Sequence, residues 1–223
     1  MQNPVKVRGI FSAIAGRYDA ANHLLSGGLD FLWRRRAASM VAEWRPSSVL
    51  DLATGSGDLA QAVRRAVPGA RVVGADFCLP MLREAARKSC GLLVVADGTN
   101  LPFADGAFDV VTVAFGLRNM SSWPGALGEI ARVLRPGGHA LILDFSMPSP
   151  PFASLYRFYL HRVLPLAAGL ITGHRAGYEY LGESIESFPS GHAMRSLIER
   201  SGFRGARAVP LACGVVSIYT AQK

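Results

Sequence analysis

The sequence predicts an α/β fold in which helices cover both faces of a mostly parallel, Rossmann-like sheet. From residue 48 onward, short apolar runs alternate with stretches of helical character, as in successive βαβ units. The first run enters a glycine turn, and Asp51, Asp76 and Asp97 lie at or near the ends of the first three runs. With 223 residues, 50% of them hydrophobic, the chain suits one well-packed domain and is short for two.

The elements follow in chain order. We predict strands near 48–53, 71–76, 92–96, 108–114 and 138–145, with helices near 58–67, 79–88 and 123–134. Glycine turns at Asp105-Gly106 and Pro136-Gly137-Gly138 precede the fourth and fifth strands. Strand-like runs at 204–209 and 215–221, separated by Pro210 and Gly214, suit a closing antiparallel pair. The prediction is therefore a seven-stranded sheet with an antiparallel C-terminal strand.

Charge and cysteine content narrow the classes of partner. The formal net charge of +8 would suit nucleic acid or a lipid surface. The densest basic run, Arg34–Arg36, is interpreted as the solvated face of a helix over Phe31–Glu43. Because no basic and aromatic platform for stacking bases is visible, we expect no nucleic-acid partner. Cys78, Cys90 and Cys213 are odd in number and lack metal-ligand spacing, which predicts buried thiols in a reducing cytoplasm, with neither disulfides nor a metal site.

The first predicted strand enters a turn that contains Gly55, Ser56 and Gly57. The glycines have no Cβ, so the backbone can turn tightly, and Ser56 and Gly57 can contact a ligand closely. The helix that follows directs unpaired N–H groups toward the same place. With Ala60 and Asp76, the glycines also satisfy the dinucleotide pattern G-x-G-x-x-A with its ribose-binding acid. The turn therefore predicts a nucleotide-like cofactor and leaves its class open.

Four carboxylates favour one cofactor class. Asp51 and Asp58 flank the turn, and Asp76 and Asp97 belong to the next two strand ends. They would repel a pyrophosphate but attract the sulfonium and ammonium groups of S-adenosylmethionine. We therefore predict S-adenosylmethionine, with Asp51 near its methionyl end, Asp76 on the ribose hydroxyls and Asp97 on the adenine amine. The simpler alternative is that Asp51 or Asp58 caps the following helix.

Four parts are predicted within a single domain over residues 1–223. They are an N-terminal helical cover (1–45), a cofactor-binding core (46–146), a helical insert (147–190) and a C-terminal helix with a strand pair (191–223). The N-terminus lacks the features of a signal peptide, so export is not expected.

The insert contains an apolar stretch, Phe152–Ile171, that is nearly long enough to cross a bilayer. Arg157, His161 and Arg162 argue against spanning, and Ser154, Arg157 and His161 form one polar stripe at helical spacing. Two interpretations remain open: a helix packed on the core, or a lid over an apolar substrate that could also contact membrane lipid.

Three further motifs resemble one family. Phe115-Gly-Leu-Arg-Asn119 follows the fourth strand, Gly16-Arg-Tyr-Asp19 lies near the N-terminus, and Tyr178–Ile185 with Phe188-Pro189 lies in the insert. In this order and spacing they resemble the ubiquinone/menaquinone biosynthesis C-methyltransferases over nearly the whole chain. The resemblance implies a class I S-adenosylmethionine-dependent methyltransferase fold. It also implies C-methylation of a polyprenylated quinol ring, either demethylmenaquinol or the ubiquinol precursor.

The resemblance also implies individual roles. Its cofactor contacts fall, by position, on Ser56, Asp76, Asp97 and Gly98. From the cysteines and the N-terminus we expect a cytoplasmic enzyme, with peripheral contact at the inner face of the membrane and a homodimer both left open.

This chain departs from the family pattern at three positions. Thr54 stands where a glycine is usual, and we expect it to stiffen the turn. Ala114 stands where some members have a serine, and Asp144 stands where a glutamate is common. None of the three removes an expected essential group.

An aromatic carbon attacks a sulfonium methyl group when the ring is electron-rich, as it is beside a phenolate. A guanidinium is a poor base, so we predict that Arg118 stabilises the oxyanion through directed N–H bonds. With Asn119 it would position the quinol oxygen and a water that relays the proton, while Tyr18 and Asp19 close the pocket. The alternative is that Arg118 only pairs with a nearby carboxylate.

Tyr178, Tyr180 and Glu183 are expected to line the substrate side, although aromatic residues at helical spacing often only pack. The main rival function is methylation of another phenolic small molecule. A nucleic-acid methyltransferase would carry Asn/Asp-Pro-Pro-aromatic where Ala114–Asn119 stands. An NAD-dependent oxidoreductase would need to bind a pyrophosphate among the four carboxylates. A non-catalytic scaffold would have no need of those carboxylates.

Overall fold

A computed structural model describes Gly9 and residues 26–88, 90–150, 152–165 and 175–223, apart from the side chains of 175–179. Seven strands are present: β1 (Ser48–Leu52), β2 (Arg71–Asp76), β3 (Leu92–Val95), β4 (Phe108–Ala114), β5 (Leu134–Phe145), β6 (Arg204–Leu211) and β7 (Val216–Gln222). The α-helices are α1 (Leu29–Glu43), α2 (Asp58–Ala66), α3 (Leu79–Arg87), α4 (Trp123–Val133), α5 (Phe152–Phe158), α6 (Arg175–Ser187) and α7 (Gly191–Arg200). Short 3₁₀ turns lie at Leu117–Asn119 and Ala212–Gly214, and a π-helical turn spans Tyr159–Val163.

The strands form one sheet in the order β3-β2-β1-β4-β5-β7-β6. The first five strands in the chain pair in parallel, while β7 is antiparallel to both β5 and β6. The predicted seven-stranded topology with an antiparallel C-terminal strand is confirmed. Because the strand order reverses between β1 and β4, the carboxyl ends of these two strands mark the crevice where such sheets bind ligands.

Both faces of the sheet are covered. Alternate strand residues point to opposite faces, so Val49 packs with Trp33 and Val63 of α1 and α2, while Leu50 packs with Ile130 and Ile198 of α4 and α7. The central strands are therefore apolar on both faces, which is typical of parallel sheets. Polar groups on these strands are confined to a few positions, of which Asp51 is one.

Two strand boundaries were predicted wrongly. The predicted turn at residues 136–138 lies inside β5, because the pairing with β4 shifts from Phe108–Leu134 to Val110–His139 and leaves the intervening residues as a bulge. Pro210 does not separate the last two strands but lies within β6, opposite Ser217. A proline is tolerated there because β6 is the edge strand and needs no donor on its outer side.

The insert packs on the core through a small third apolar cluster. Leu160, Leu164 and Ile185 are buried together against Phe145 at the end of β5. The predicted polar stripe faces α6, where Glu186 accepts bonds from Arg157 Nε (2.7 Å) and His161 Nε2 (3.0 Å). The stripe therefore packs within the insert, and the interpretation of a helix packed on the core holds for the turn that contains Leu160 and Leu164. Among the described residues, none of the helices is both long and apolar enough to cross a bilayer.

The outer face of the insert is apolar and exposed. Phe152, Leu155, Phe158 and Val163 all present large hydrophobic side chains to solvent. One cysteine prediction was wrong: Cys78 and Cys90 are buried, but Cys213 is exposed on the turn between β6 and β7.

Candidate active site

Two tight turns meet at the switch point of the sheet. Ala53 follows β1 with φ 53°, and Phe115 follows β4 with φ 56°. Non-glycine residues are uncommon in this left-handed region, and such strain collects at functional sites. Gly116 allows the turns to touch, because a Cβ on it would lie 2.4 Å from that of Ala53.

Gly57 is the residue that places α2 against the turn. Its φ is 86°, and a Cβ there would lie 2.1 Å from Cys90 Sγ. Gly57 is the residue immediately before α2. Only a glycine there allows the N-terminus of the helix to lie this close to the segment that contains Cys90. The tight turn inferred from the two glycines is confirmed.

A cavity opens between the carboxyl ends of β1 and β4. Its walls come from α1, the turn after β1, the start of α2 and the residues that follow β4. The lining residues are Arg34, Asp51, Ala53, Thr54, Gly55, Ser56, Asp58, Leu59, Ala114 and Phe115. Of the predicted cofactor residues, Asp51, Gly55 and Ser56 line this cavity. Gly57 ends the same turn, Asp76 ends β2, and Asp97 and Gly98 follow β3.

Asp51 is a buried carboxylate, 1% exposed. Its Oδ2 accepts a bond from Thr54 Oγ1 (2.6 Å), and its Oδ1 accepts one from Thr112 Oγ1 (2.7 Å). The backbone N–H of Ala60, in the first turn of α2, also favours its ionised form and so lowers its pKa. Burial raises the pKa of Asp51 to about 6 despite these donors. Asp51 therefore lines the cavity and is bonded to two threonine hydroxyls, and the alternative that it only caps α2 is not confirmed.

Thr54 does not act as expected. The left-handed backbone positions of this turn are Ala53, Gly55 and Gly57, so Thr54 itself needs no glycine-like conformation. Its hydroxyl instead supplies a bond to Asp51 that a glycine could not. The expectation that Thr54 stiffens the turn is therefore corrected: Thr54 instead fixes the orientation of the Asp51 carboxylate.

Asp76 and Asp97 lie at the carboxyl ends of β2 and β3. Asp76 accepts the N–H groups of Gly55 (2.9 Å) and Cys78 (2.8 Å), and burial raises its pKa. Asp97 is exposed, and its Oδ1 accepts both the N–H and the hydroxyl of Thr99 at 2.8 Å. The two acids thus fix the loops on which they lie. Their predicted contacts with the ribose and the adenine stay predictions.

Arg34 was interpreted as part of a solvated face, and this is wrong. Arg35 and Arg36 are exposed, but Arg34 is buried and lines the cavity. It pairs with Asp30, one helical turn earlier in α1. That i, i+4 spacing of opposite charges was the signal in the sequence.

Arg118 is the centre of a second polar cluster, beyond β4. It is 4% exposed, and its Nη1 donates to Asp144 Oδ1 (2.6 Å) and to the carbonyl of Phe115 (2.7 Å). Its Cζ lies 5.1 Å from the ring centroid of Phe145. The alternative that Arg118 pairs with a nearby carboxylate is thus confirmed, and that carboxylate is Asp144. However, Nε is buried and has no hydrogen-bond partner in the described part of the chain.

Asn119 joins this cluster to the insert. Tyr180 of α6 donates its hydroxyl to Asn119 Oδ1 (3.1 Å), and Asn119 Nδ2 donates to the carbonyl of Phe115 (3.3 Å). Burial raises the pKa of Tyr180, which keeps its phenol a neutral donor at neutral pH. The predicted residues Arg118, Asn119 and Tyr180 therefore come together.

The other predicted substrate residues do not join the cluster. Glu183 is exposed and forms no hydrogen bond or ion pair within the described ranges. Tyr18, Asp19 and the side chain of Tyr178 lie outside the described residues, so their predicted roles stay predictions.

Sequence reasoning missed Tyr156. Its ring stacks on that of Tyr159 with centroids 6.2 Å apart and planes 15° apart. Burial raises the pKa of Tyr156, and the positive charge of Arg118 opposes that shift. The π-helical turn that begins at Tyr159 is a feature often found at functional sites, but no residue pattern in the sequence announces it.

Comparison with protein families gives one match over the whole chain. The model of the ubiE/COQ5 methyltransferase family matches residues 1–223. A protein of Thermus thermophilus named demethylmenaquinone methyltransferase is 49% identical, over 96% of this chain and 100% of its own. A ubiquinone/menaquinone biosynthesis C-methyltransferase of Bdellovibrio bacteriovorus is 39% identical, over 97% and 95% respectively.

Solved structures show the same fold at low sequence identity. A Thermotoga maritima protein described as a SAM-dependent methyltransferase, possible histamine N-methyltransferase, superposes with a TM-score of 0.70 at 15% identity, covering 96% of this chain and 99% of its own. The CurJ carbon methyltransferase superposes with a TM-score of 0.60 at 18% identity, over 80% and 48%. The class I S-adenosylmethionine-dependent methyltransferase fold is therefore confirmed.

Proposed function

This chain belongs to the ubiE/COQ5 methyltransferase family, and from that membership we propose that it methylates a ring carbon of a polyprenylated quinol, with S-adenosylmethionine as donor, in quinone biosynthesis. The observation that carries this proposal is the pairing of two sites across β4. On one side is a carboxylate-lined glycine turn, and on the other a buried arginine with an unpartnered Nε. The first suits a cationic donor, and the second suits the oxygen of a phenol.

The cofactor side fits S-adenosylmethionine by chemistry and by shape. Asp51 lines the cavity, and its raised pKa reflects a buried negative charge that a cationic ligand would stabilise. The turn at Gly57 has no room for a side chain because Cys90 packs against it, which fixes the course of the backbone between Asp51 and α2. Ser56 and Gly55 complete the turn, with Asp76 toward the ribose, and Asp97 and Gly98 toward the adenine.

The bound donor supplies an electrophilic methyl group on a sulfonium. The quinol must supply the electron pair, which its ring carbon does best when the neighbouring hydroxyl has lost its proton. Arg118 Nε is the donor available to that oxygen, because Nη1 is already bonded to Asp144 and Phe115. A fixed, desolvated guanidinium stabilises a developing oxyanion far more than one in water. Asn119 and Tyr180 position the same oxygen from the insert side.

The atoms balance without a metal or an oxidant. The hydroxyl proton leaves to water, and the new carbon–carbon bond forms as the carbon–sulfur bond breaks. The ring carbon then loses its own proton to water, which restores the aromatic ring, and the oxygen takes one proton back from water to give the methylated quinol. Tyr18 and Asp19 are proposed to close the pocket over this step. The chain's contribution is positioning and charge stabilisation, which can account for a large part of a rate enhancement.

We propose demethylmenaquinol as the first substrate to test, since the 49% identical relative carries the name demethylmenaquinone methyltransferase. The purified protein is incubated with S-adenosylmethionine and, separately, with reduced demethylmenaquinone and the reduced ring-demethylated ubiquinone precursor. Mass spectrometry then locates any added methyl group. Methylation on carbon of either quinol supports the proposal, and the faster substrate gives the ring preference. Cofactor binding with neither product would contradict it in favour of another phenol.

The exposed outer face of the insert is proposed to contact the membrane in which a polyprenylated quinol resides. Phe152, Leu155 and Phe158 lie on α5, and Arg162 is exposed beside them in the next turn. Apolar side chains with a neighbouring cation suit the boundary between acyl chains and anionic headgroups.

Vesicle flotation tests this contact. On phosphatidylglycerol vesicles, the double variant Phe152→Ser/Phe158→Ser should show a several-fold smaller bound fraction than the wild type. Leu79→Ser is the matched control, because Leu79 is also exposed but begins α3. Equal binding by the wild type and the double variant would show that α5 does not contact the lipid.

A further inference from the structure

Arg34 is a buried cation that the mechanism above does not use. Its side chain is 10% exposed, and it lines the cavity together with Asp51, Ser56 and Asp58. It belongs to α1, which comes before the sheet in the chain, and no motif of the cofactor turn includes it. It is also the one basic residue among the described residues that line this cavity.

The position of Arg34 is set from two sides. Nη1 donates to Asp30 in the same helix, and the guanidinium carbon lies 5.6 Å from the ring centroid of Phe115. A cation over an aromatic ring is attracted to its face. Phe115 is itself constrained, since it follows β4 with a left-handed backbone. The guanidinium is therefore ordered before any ligand arrives.

One end of the guanidinium makes only a long ion pair with the described residues. Nη2 lies 3.7 Å from Asp58 Oδ2, which is beyond hydrogen-bond distance. Asp58 instead accepts a bond from Lys88 Nζ at 2.6 Å. Within the part of the chain that the structure describes, Nη2 therefore has a nearby charge but no hydrogen-bond acceptor.

We propose that Arg34 binds the carboxylate of the methionyl group of S-adenosylmethionine. This inference rests on the proposed function and deepens it. The methionyl end carries a carboxylate as well as an ammonium group, and the acids that attract the ammonium group would repel the carboxylate. Arg34 resolves this conflict, because it places a donor of opposite charge in a cavity otherwise lined by Asp51 and Asp58. Its planar group suits a carboxylate geometrically.

The test compares two ligands that differ by this one group. S-adenosylmethionine and decarboxylated S-adenosylmethionine share the adenosine, sulfonium and ammonium groups, and isothermal titration gives a dissociation constant for each. The wild type should prefer S-adenosylmethionine by about 10- to 100-fold, as expected of a charged hydrogen bond. In Arg34→Gln, the preference should fall to about one- to threefold through loss of affinity for S-adenosylmethionine alone.

Arg35→Gln and Arg36→Gln are the matched controls, since they remove the same charge from exposed positions of the same helix. Both should keep the wild-type preference. The ratio of the two dissociation constants is measured on one folded sample, so a lowered stability of Arg34→Gln does not imitate the effect. If Arg34→Gln does not fold, Arg34→Lys decides, because a point charge without the planar group should reduce the preference several-fold.

An unchanged preference in the Arg34 variants would overturn the inference. A wild type that binds neither ligand would instead contradict the proposed function, so the two failures are distinguishable.

Discussion

The two sides of the candidate active site are built in different ways. On the cofactor side, Asp51 is bonded to Thr54, three residues away, and to Thr112, which is 61 residues away in the chain but lies beside Asp51 on the neighbouring strand β4. On the substrate side, the decisive contacts join Arg118 to Asp144 and Asn119 to Tyr180, which are 26 and 61 residues apart. The first side is a local turn fixed by the sheet. The second depends on how the insert docks.

This difference indicates that the substrate site can vary more easily than the cofactor site. The cofactor turn is sterically restricted at Gly57 and bonded at Asp51, so it suits a ligand that stays the same across a family. The substrate side keeps an unpartnered donor, Arg118 Nε, and takes Tyr180 from a separate helix. Packing of the insert can therefore alter the substrate without disturbing the cofactor, and the following predictions test that separation.

The largest effect is expected at Arg118. Arg118→Ala leaves the fully buried Asp144 without its charged partner, which should lower the free energy of unfolding by about 3–5 kcal/mol. The double variant Arg118→Met/Asp144→Leu replaces the pair with apolar groups of similar size and should be within about 2 kcal/mol of the wild type. Urea denaturation measures both. A double variant as unstable as Arg118→Ala would show that the pair itself stabilises the fold.

A smaller loss is expected on the cofactor side. Gly57→Ala forces a Cβ against Cys90 Sγ at a φ of 86°, so the free energy of unfolding should fall by roughly 2–4 kcal/mol and affinity for S-adenosylmethionine should fall with it. Gly128→Ala is the control, because that helical glycine has open space around it and should gain about 0.5–1 kcal/mol. Unfolding and titration of both variants check this. A Gly57→Ala protein of wild-type affinity would contradict the tight turn.

The pH dependence of cofactor binding tests the role of Asp51, the buried carboxylate of the cofactor side. Burial raises the pKa of Asp51 to about 6, so in the ligand-free protein this group favours folding below its usual pKa and loses that contribution as pH rises through about 6. Binding of a cationic ligand has the opposite sign, because it favours the ionised form.

Affinity for S-adenosylmethionine should therefore be about tenfold weaker at pH 5 than at pH 7. Titration calorimetry across this range measures it. Asp51→Asn should bind more weakly at pH 7 and show a flat profile, and a flat wild-type profile would exclude Asp51 as the titrating group.

The smallest effect is expected at Tyr180. Tyr180→Phe removes the bond to Asn119 Oδ1, which should cost about 0.5–1.5 kcal/mol of stability and lower turnover a few-fold, with the affinity for S-adenosylmethionine unchanged. Tyr159→Phe is the stability control, since the Tyr159 hydroxyl forms no hydrogen bond among the described residues. Denaturation, turnover and titration are compared, and a matching loss of cofactor affinity in Tyr180→Phe would show that the two sides are coupled.

The cofactor side could largely be predicted from the sequence because its signals are local. The apolar run, the glycine turn and the acids after β1 and β2 are close in the chain, and parallel strands bring their ends to one edge. The bulge in β5 and the position of Pro210 in β6 were missed because edge position and register shifts depend on neighbouring strands. Arg34 was missed because helical spacing alone does not say which face is buried.

The substrate side was predictable only in part. Arg118 and Asn119 follow from a family resemblance, but their partners depend on tertiary packing. Asp144 meets Arg118 because β5 lies beside β4, and Tyr156 packs with Phe145 against the same apolar cluster because the insert folds back onto the end of β5. Neither contact leaves a periodic pattern in the chain.

One measurement tests the separation of the two sides most directly. The dissociation constant for S-adenosylmethionine and the rate of quinol methylation are determined on the same sample of Arg118→Met/Asp144→Leu. We expect the cofactor affinity to stay within about threefold of the wild type. The rate of methylation should fall at least about a hundredfold, because one oxyanion donor contributes a factor of this order. Parallel losses of affinity and turnover would contradict this expectation and show a single coupled site.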